Sequence, residues 1–441
     1  MLNITFLTGE YPPMQGGIAD YTANLADQLA RHNVQPSILI THRWQQIAQQ
    51  PSTASQSPNL PISQSFGFAQ DRSPVSNLQS PISIHPTLPN WGWRCWPAIT
   101  RFLKQHQPVI LHIQYQAAAF DLGGWINWLP WYLKKRGATT QLVTTFHDLR
   151  IPYVFPKAGR LRWQSILALA RHSDAVICTN REDLKTLQLE LNLPHATHLQ
   201  SPPPPSSFST LHSPFLTVIP LGTNIEPEPP TDFDRAAWRK KYHANDQTLL
   251  LTYFGFLNES KGGEELIEAV ALLRQQGIDA RLLFIGGDIG HADPTNAAYA
   301  ERVQAMITQH RLSEVVYRTG YVEQSDVSAN LLAADAVVLP YRDGVSFRRT
   351  TLIAALRHGC PVVSTLPRDA DLIPEIQPDE NMLLAPPEDA AELAQVIAQL
   401  HGNASLWHKL STGAKQLGDL FEWSHIATET AKLYQCLTHE F

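Results

Sequence analysis

Residues 341–365, YRDGVSFRRTTLIAALRHGCPVVST, decide how the rest of the chain is read. The apolar run at 336–340 just before them is predicted to be a buried strand, ending in a polar turn that contains Gly344. Leu352, Ala355 and Leu356 then recur at helical spacing, the helix stops at Gly359, and residues 361–364 form a second apolar run. Strand, glycine turn, helix and strand make a parallel βαβ unit, whose ligands lie where the strand gives way to the helix. Free N–H groups and the positive end of the helix dipole make that place receptive to an anion. The turn carries Asp343, Ser346, Arg348 and Arg349, and Thr350 and Thr351 follow at the helix start. Guanidinium binds phosphate in a bidentate way, so the arginines point to a phosphate site; the plainer alternative is a solvated charged loop.

Moving outward, the same alternation repeats. Strands are predicted at 249–257, 281–287 and in VVYRTG, with helices at 263–276, 296–310, 325–333 and 389–400. An earlier series holds strands at 3–8, 37–41 and 109–115 and in LVTTFHD, DAVICTN and LTVIPLG, with a helix marked by Ile18, Tyr21, Leu25 and Leu29. Two such series predict an α/β protein of two doubly wound, Rossmann-like domains facing across a cleft. The expected division is 1–222, 223–423, and a last helix, 424–441, that crosses back to the first domain. Residues 50–86 turn abruptly to Ser, Pro, Gln and Asn, with SQSPNLPIS and SNLQSPIS resembling copies of one element. They and the proline run at 201–214 are expected to be disordered inserts without chemistry.

A length of 441 residues suits two domains with full cores, and 43% hydrophobic with 17% charged residues suits a soluble globular protein. The net charge of -6 gives no general attraction to nucleic acid or anionic membrane. The four cysteines have no metal-ligand spacing, and buried free thiols are expected at Cys178 and Cys360. With no leader and no apolar run of about 20 residues, the expected location is the cytoplasm. WINWLPWYLKK, residues 125–135, reads as a helical layer beside the interdomain region; its rival reading is peripheral contact with the inner face of the membrane.

Several further residues carry candidate chemistry. Gly16 and Gly17 end the loop GEYPPMQGG directly before a helix, where backbone N–H groups can approach a ligand closely. His147 lies at the carboxyl end of a strand. Lys261, in GFLNESKGG, precedes another helix, so its ammonium and the helix terminus can address one anion. Walker and GxGxxG spacings are absent, and the Asp369-Ala370-Asp371 triplet is assigned no metal.

Taken in order, YPPMQGGIADYTANLADQL, TTFHD, ADAVICTN, VIPLGTN, GFLNESKGGEELIEAVALL, LLFIGG, AADAVVLPYRDGVSFRRTTLIAALRHGCPVVST and ENMLLAPPED resemble the retaining GT-B glycosyltransferases of family 4. The likeness covers nearly the whole chain outside the inserts. It implies a nucleoside-diphosphate-sugar donor held mainly by the C-terminal domain, and an acceptor (glycan, lipid or small molecule) held mainly by the N-terminal one. No cofactor and no obligatory metal are implied. By this resemblance His147, Asp343 and Arg348 are the catalytic candidates. Gly16, Gly17, Lys261, Ser346, Arg349, Thr350 and Thr351 are the donor and phosphate candidates. Two departures stand out. The family's pair of glutamates, eight positions apart, is replaced by Ser346 and Ala354, and its arginine before the lysine by Phe256. The departures keep two other readings open: a nucleotide-sugar-binding protein without transfer activity, and a nucleotide-sugar epimerase.

Overall fold

The computed structural model describes residues 1–14, 16–49, 82–149, 159–193, 214–286 and 294–438. The chain divides into one compact unit of Met1–Leu221 with Trp423–Phe441, and a second of Gly222–Glu422. Most of the first expected insert, residues 50–81, and residues 201–213 of the second lie outside the described residues. The first range also ran too far: its end overlaps a strand, Ser83–Leu88, whose Ser, His and Pro content hid it.

In the first unit the strands are β1 (Leu2–Thr8), β2 (Val34–Thr41), β3 (Ser83–Leu88), β4 (Ile110–Tyr115), β5 (Gln141–Phe146), β6 (Ala175–Cys178) and β7 (Phe215–Val218). They form one parallel sheet in the order β3-β2-β1-β4-β5-β6-β7. Side chains on both faces of β4 and β6 are buried, because helices cover a parallel sheet on each side. The helix Gly17–Ala30 turns Ile18, Tyr21, Leu25 and Leu29 into this core. The final helix, Trp423–Thr438, packs beside it through Trp423, Ile426, Ala427 and Tyr434.

The second unit repeats the plan with β8 (Leu249–Phe254), β9 (Ala280–Ile285), β10 (Val316–Arg318), β11 (Ala336–Leu339), β12 (Val362–Thr365) and β13 (Leu383–Ala385). Its parallel order is β10-β9-β8-β11-β12-β13. Each sheet therefore has a point where successive connections leave in opposite directions, between β1 and β4 and between β8 and β11. The loops beyond the carboxyl ends of those strands are where an open α/β sheet binds its ligands. Cys178 and Cys360 are buried free thiols, as are Cys95 and Cys436.

Candidate functional site

Beyond β8 and β11, the second unit places one buried cation, Lys261, and one half-buried one, Arg349. The short turn Glu259–Lys261 leads into the helix Gly263–Gln275 through Gly262, whose φ is 67°. A Cβ there would sit 1.9 Å from the Pro340 carbonyl oxygen, so only glycine lets this turn press against the end of β11. That approach places Lys261 beneath the end of β8, with the residue 4% exposed. Its Nζ donates to the Phe256 carbonyl (2.9 Å) and lies 3.3 Å from where a Cβ on Gly255 would stand. Burial first, and then the Arg349 charge, lower the ammonium pKa to about 8.

Arg349 occupies the N-cap position of the helix Thr350–Arg357, which has no side-chain cap. Its guanidinium lies 4.9 Å above the Tyr341 ring, and its Nη2 donates to Asp343 Oδ1 (2.7 Å) and also to Oδ2. Tyr341 Oη and Thr351 Oγ1 are 3.1 Å apart, and Thr351 Cγ2 also reaches the Gly255 position. Lys261 and Thr351 thus meet at Gly255, beside the uncapped helix terminus that Arg349 occupies, and the Arg349 charge acts on Lys261. Asp343, named above as a catalytic candidate, is Arg349's counterion. Arg348 is exposed, and its main-chain N–H donates to Ser346 Oγ (3.4 Å). Ala354, at the second departed position, is buried.

In the first unit the matching loops follow β1 and β5. Gly16 caps the helix that Gly17 begins, and a Cβ on Gly16 would fall 2.0 Å from Glu10 Oε2. Glu10 is held by its own main chain, which exchanges hydrogen bonds with Thr8 Oγ1 (2.8 and 3.3 Å), and Trp44 Nε1 donates to the Pro12 carbonyl (2.8 Å) to pin the loop. Glu10 Oε2 is buried and has no hydrogen-bond partner among the described residues. Burial raises the carboxyl pKa to about 7 against the opposing Arg43 charge, with Asp20 adding to the rise. Sequence reading passed over Glu10; its one signal was an acidic residue inside a glycine-and-proline loop.

His147 extends the ladder beyond β5 by donating its main-chain N–H to Tyr115 O (3.0 Å). Its ring meets Tyr21 edge-on at 4.6 Å between centroids, and its Nε2 lies 2.8 Å from Gln114 Oε1. Desolvation lowers its pKa well below the ordinary value, so the ring is neutral at physiological pH. Asp148 beside it accepts from Gln116 Nε2 (3.0 Å). Among the described residues no group of His, Cys, Asp and Glu could hold a metal ion. The second unit can bind an anion with buried Lys261 and half-buried Arg349, and the first can receive a hydroxyl at a neutral imidazole.

Comparison with known proteins matches residues 248–403 to Glycosyl transferases group 1 and residues 16–203 to the Glycosyl transferase 4-like domain. WcaL of Escherichia coli, named as a glycosyltransferase of colanic acid biosynthesis, is 34% identical over 147 residues, 32% of this chain and 33% of WcaL. The D-inositol 3-phosphate glycosyltransferase of Jonesia denitrificans is 27% identical over 210 residues, 47% of each chain. The chain therefore spans between a third and a half of the length of these relatives. Among solved structures, HepE of Anabaena in complex with UDP aligns over 98% of this chain and 99% of its own, with a TM-score of 0.66 and 16% identity. Sucrose-phosphate synthase of Thermosynechococcus elongatus aligns over 99% and 98%, with a TM-score of 0.63 and 19% identity. These two likenesses show the GT-B fold.

Proposed function

Because this chain belongs to the group 1, family 4-like glycosyltransferases of GT-B fold, we propose that it moves a sugar from a nucleoside-diphosphate sugar to a hydroxylated acceptor with retention at the anomeric carbon. The observation that carries this reading is the meeting of Lys261 and Thr351 at Gly255, beside the uncapped helix terminus that Arg349 occupies beyond β8 and β11. Breaking the sugar–phosphate bond leaves negative charge on the diphosphate, so fixed cations there act where charge develops. Arg349, held by Asp343, supplies the inner guanidinium; exposed Arg348 is the outer one. Thr350, Thr351 and Ser346 add polar groups at the same terminus, while Gly16 and Gly17 offer a helix start in the first unit. His147 is assigned to a hydroxyl of the transferred sugar.

A panel of nucleotide sugars tests this. UDP and UDP-glucose come first, since both have been seen bound to Anabaena HepE. The expected outcome is calorimetric binding of one nucleoside diphosphate, and a product whose anomeric configuration by NMR matches the donor's. Inverted product removes the retaining mechanism. Binding with no transfer to any extract-derived acceptor favours a binding protein, and a rearranged nucleotide sugar an epimerase.

The acceptor side includes an aromatic surface. Trp93, Trp125, Trp128 and Trp131 are 58, 44, 42 and 39% exposed. Trp125 meets Trp96 (5.6 Å between centroids) and Trp128 meets Trp131 (6.5 Å), while Arg94 and Arg136 lie over Trp93 and Tyr132. Rings that are apolar with one polar edge, flanked by cations, suit an anionic bilayer surface. No helix among the described residues is long and apolar enough to cross a membrane. We expect the protein to sediment with phosphatidylglycerol-containing vesicles more than with pure phosphatidylcholine, and Trp128→Ala with Trp131→Ala to abolish that difference. A double variant that keeps the wild-type preference for phosphatidylglycerol vesicles removes these rings from any membrane role.

A further inference from the structure

The interior of the first sheet contains a line of polar groups where an apolar core would be cheaper. His112 and Gln114 lie two apart on β4, so they share a face, as do Thr145 and His147 at the end of β5. The register pairs Gln114 with Thr145. His112, Gln114, Thr145 and Tyr434 of the final helix are all fully buried. Burying such groups costs free energy unless each is hydrogen-bonded, and here they are bonded to one another. Tyr434 Oη is 2.6 Å from His112 Nδ1, and Thr145 Oγ1 is 2.7 Å from His112 Nε2. The Gln114 amide nitrogen is 3.3 Å from His112 Nε2, and its carbonyl oxygen is 2.8 Å from His147 Nε2.

The donors and acceptors in this line have one consistent assignment. Gln114 Oε1 can only accept, so His147 Nε2 carries a proton and donates to it. The Gln114 amide nitrogen can only donate, so His112 Nε2 is the bare nitrogen, and it also accepts from the Thr145 hydroxyl. His112 is neutral, because burial, with the nearby His147 as a lesser cause, lowers its pKa to about 3. Its one ring proton is therefore on Nδ1, donated to Tyr434 Oη. His147 is left with a bare Nδ1, which has no partner among the described residues and can accept from a hydroxyl.

We propose that Tyr434 is a positioning residue that fixes His147 in its Nε2-protonated tautomer through His112 and Gln114. The final helix thereby sets which ring nitrogen of His147 is offered to substrate. The benefit to transfer rests on the role proposed for His147; the relay itself does not. The direct test is the histidine ring 1H–15N spectrum of the ligand-free protein, with the His147 signals identified by their loss in His147→Gln. Wild type should show His147 protonated at Nε2 and bare at Nδ1. In Tyr434→Phe the His112 Nδ1 proton loses its acceptor, so His112 moves its proton to Nε2 and donates to Thr145. The Gln114 amide then turns its NH2 toward His147, which should switch to the Nδ1-protonated form.

Gln114→Met, which removes the amide at similar volume, should give His147 a mixture of tautomers and covers the case in which Tyr434→Phe does not fold. An unchanged Nε2-protonated His147 in either folded variant overturns the relay. With a donor in hand, Tyr434→Phe should lower kcat about tenfold, the scale of one misdirected hydrogen bond, with UDP affinity unchanged. A tautomer switch without loss of turnover upholds the relay and removes His147 from sugar transfer.

Discussion

Lys261→Met is expected to weaken binding of the nucleoside diphosphate by about 10- to 150-fold, the equivalent of roughly 1.5–3 kcal/mol for a charge-assisted hydrogen bond. Methionine keeps the volume of the buried stem and removes only the ammonium, which donates to the Phe256 carbonyl and lies beside Gly255. The pH dependence separates charge from packing. The protonated amine is the form that attracts phosphate, and burial together with the Arg349 charge lowers its pKa to about 8 in the free protein. Wild-type affinity should therefore fall as pH rises above about 8. The variant should show no such decline in that window. Isothermal titration with UDP at pH 7 and pH 9 measures both. If Lys261→Met binds as tightly as wild type at pH 7, the diphosphate site is not at Gly255.

The second large effect is expected at His147, with a different signature. His147→Ala should lower kcat by about 5- to 150-fold, the cost of roughly 1–3 kcal/mol for a polar group left without its partner. The affinity for UDP should stay within about twofold, because the proposed nucleotide contacts are in the other compact unit. Some loss of thermal stability accompanies the change: Gln114 Oε1 loses its donor, and Tyr21 its edge contact. Measuring kcat, the UDP Kd and the melting temperature on one preparation resolves these effects. Equal losses in kcat and Kd place His147 on the nucleotide side, and unchanged turnover makes it a structural strand-end residue.

The legible part of the fold was what periodicity and composition report. β8, LLLTYF, is a continuous apolar run because both its faces are covered, and Gly17–Ala30 shows its stripe of Ile18, Tyr21, Leu25 and Leu29. The helix His42–Ala48 left no such trace, since none of its residues is buried. Three further helices, Gly159–His172, Arg181–Leu191 and Ala404–Gly418, have no counterpart among the helices expected from sequence.

At the site, loop residues could be nominated but not sorted. Arg348 and Arg349 are equivalent in sequence, yet only the second is placed over Tyr341 and against Asp343, because that choice depends on how the turn folds back. The burial of Glu10 and the His112–Tyr434 contact could not be read from the sequence. The first depends on how closely Gly16 approaches, and the second joins residues 322 positions apart.

The return of Trp423–Thr438 to the first unit has a consequence for synthesis. On the ribosome the chain emerges from its N-terminus, so β1 through β7 are made long before the helix that packs beside Gly17–Ala30 and carries Tyr434. Until then Tyr21 lacks its Trp423 neighbour and His112 its Tyr434 partner. The second unit, whose sequence is continuous, is fully synthesised before that helix. A nascent chain halted before residue 423 would thus have a complete second unit and a first unit with bare apolar and polar groups in its interior. Such a species is a natural client for chaperones and proteases. Completion of the first unit therefore waits for the synthesis of Trp423–Thr438.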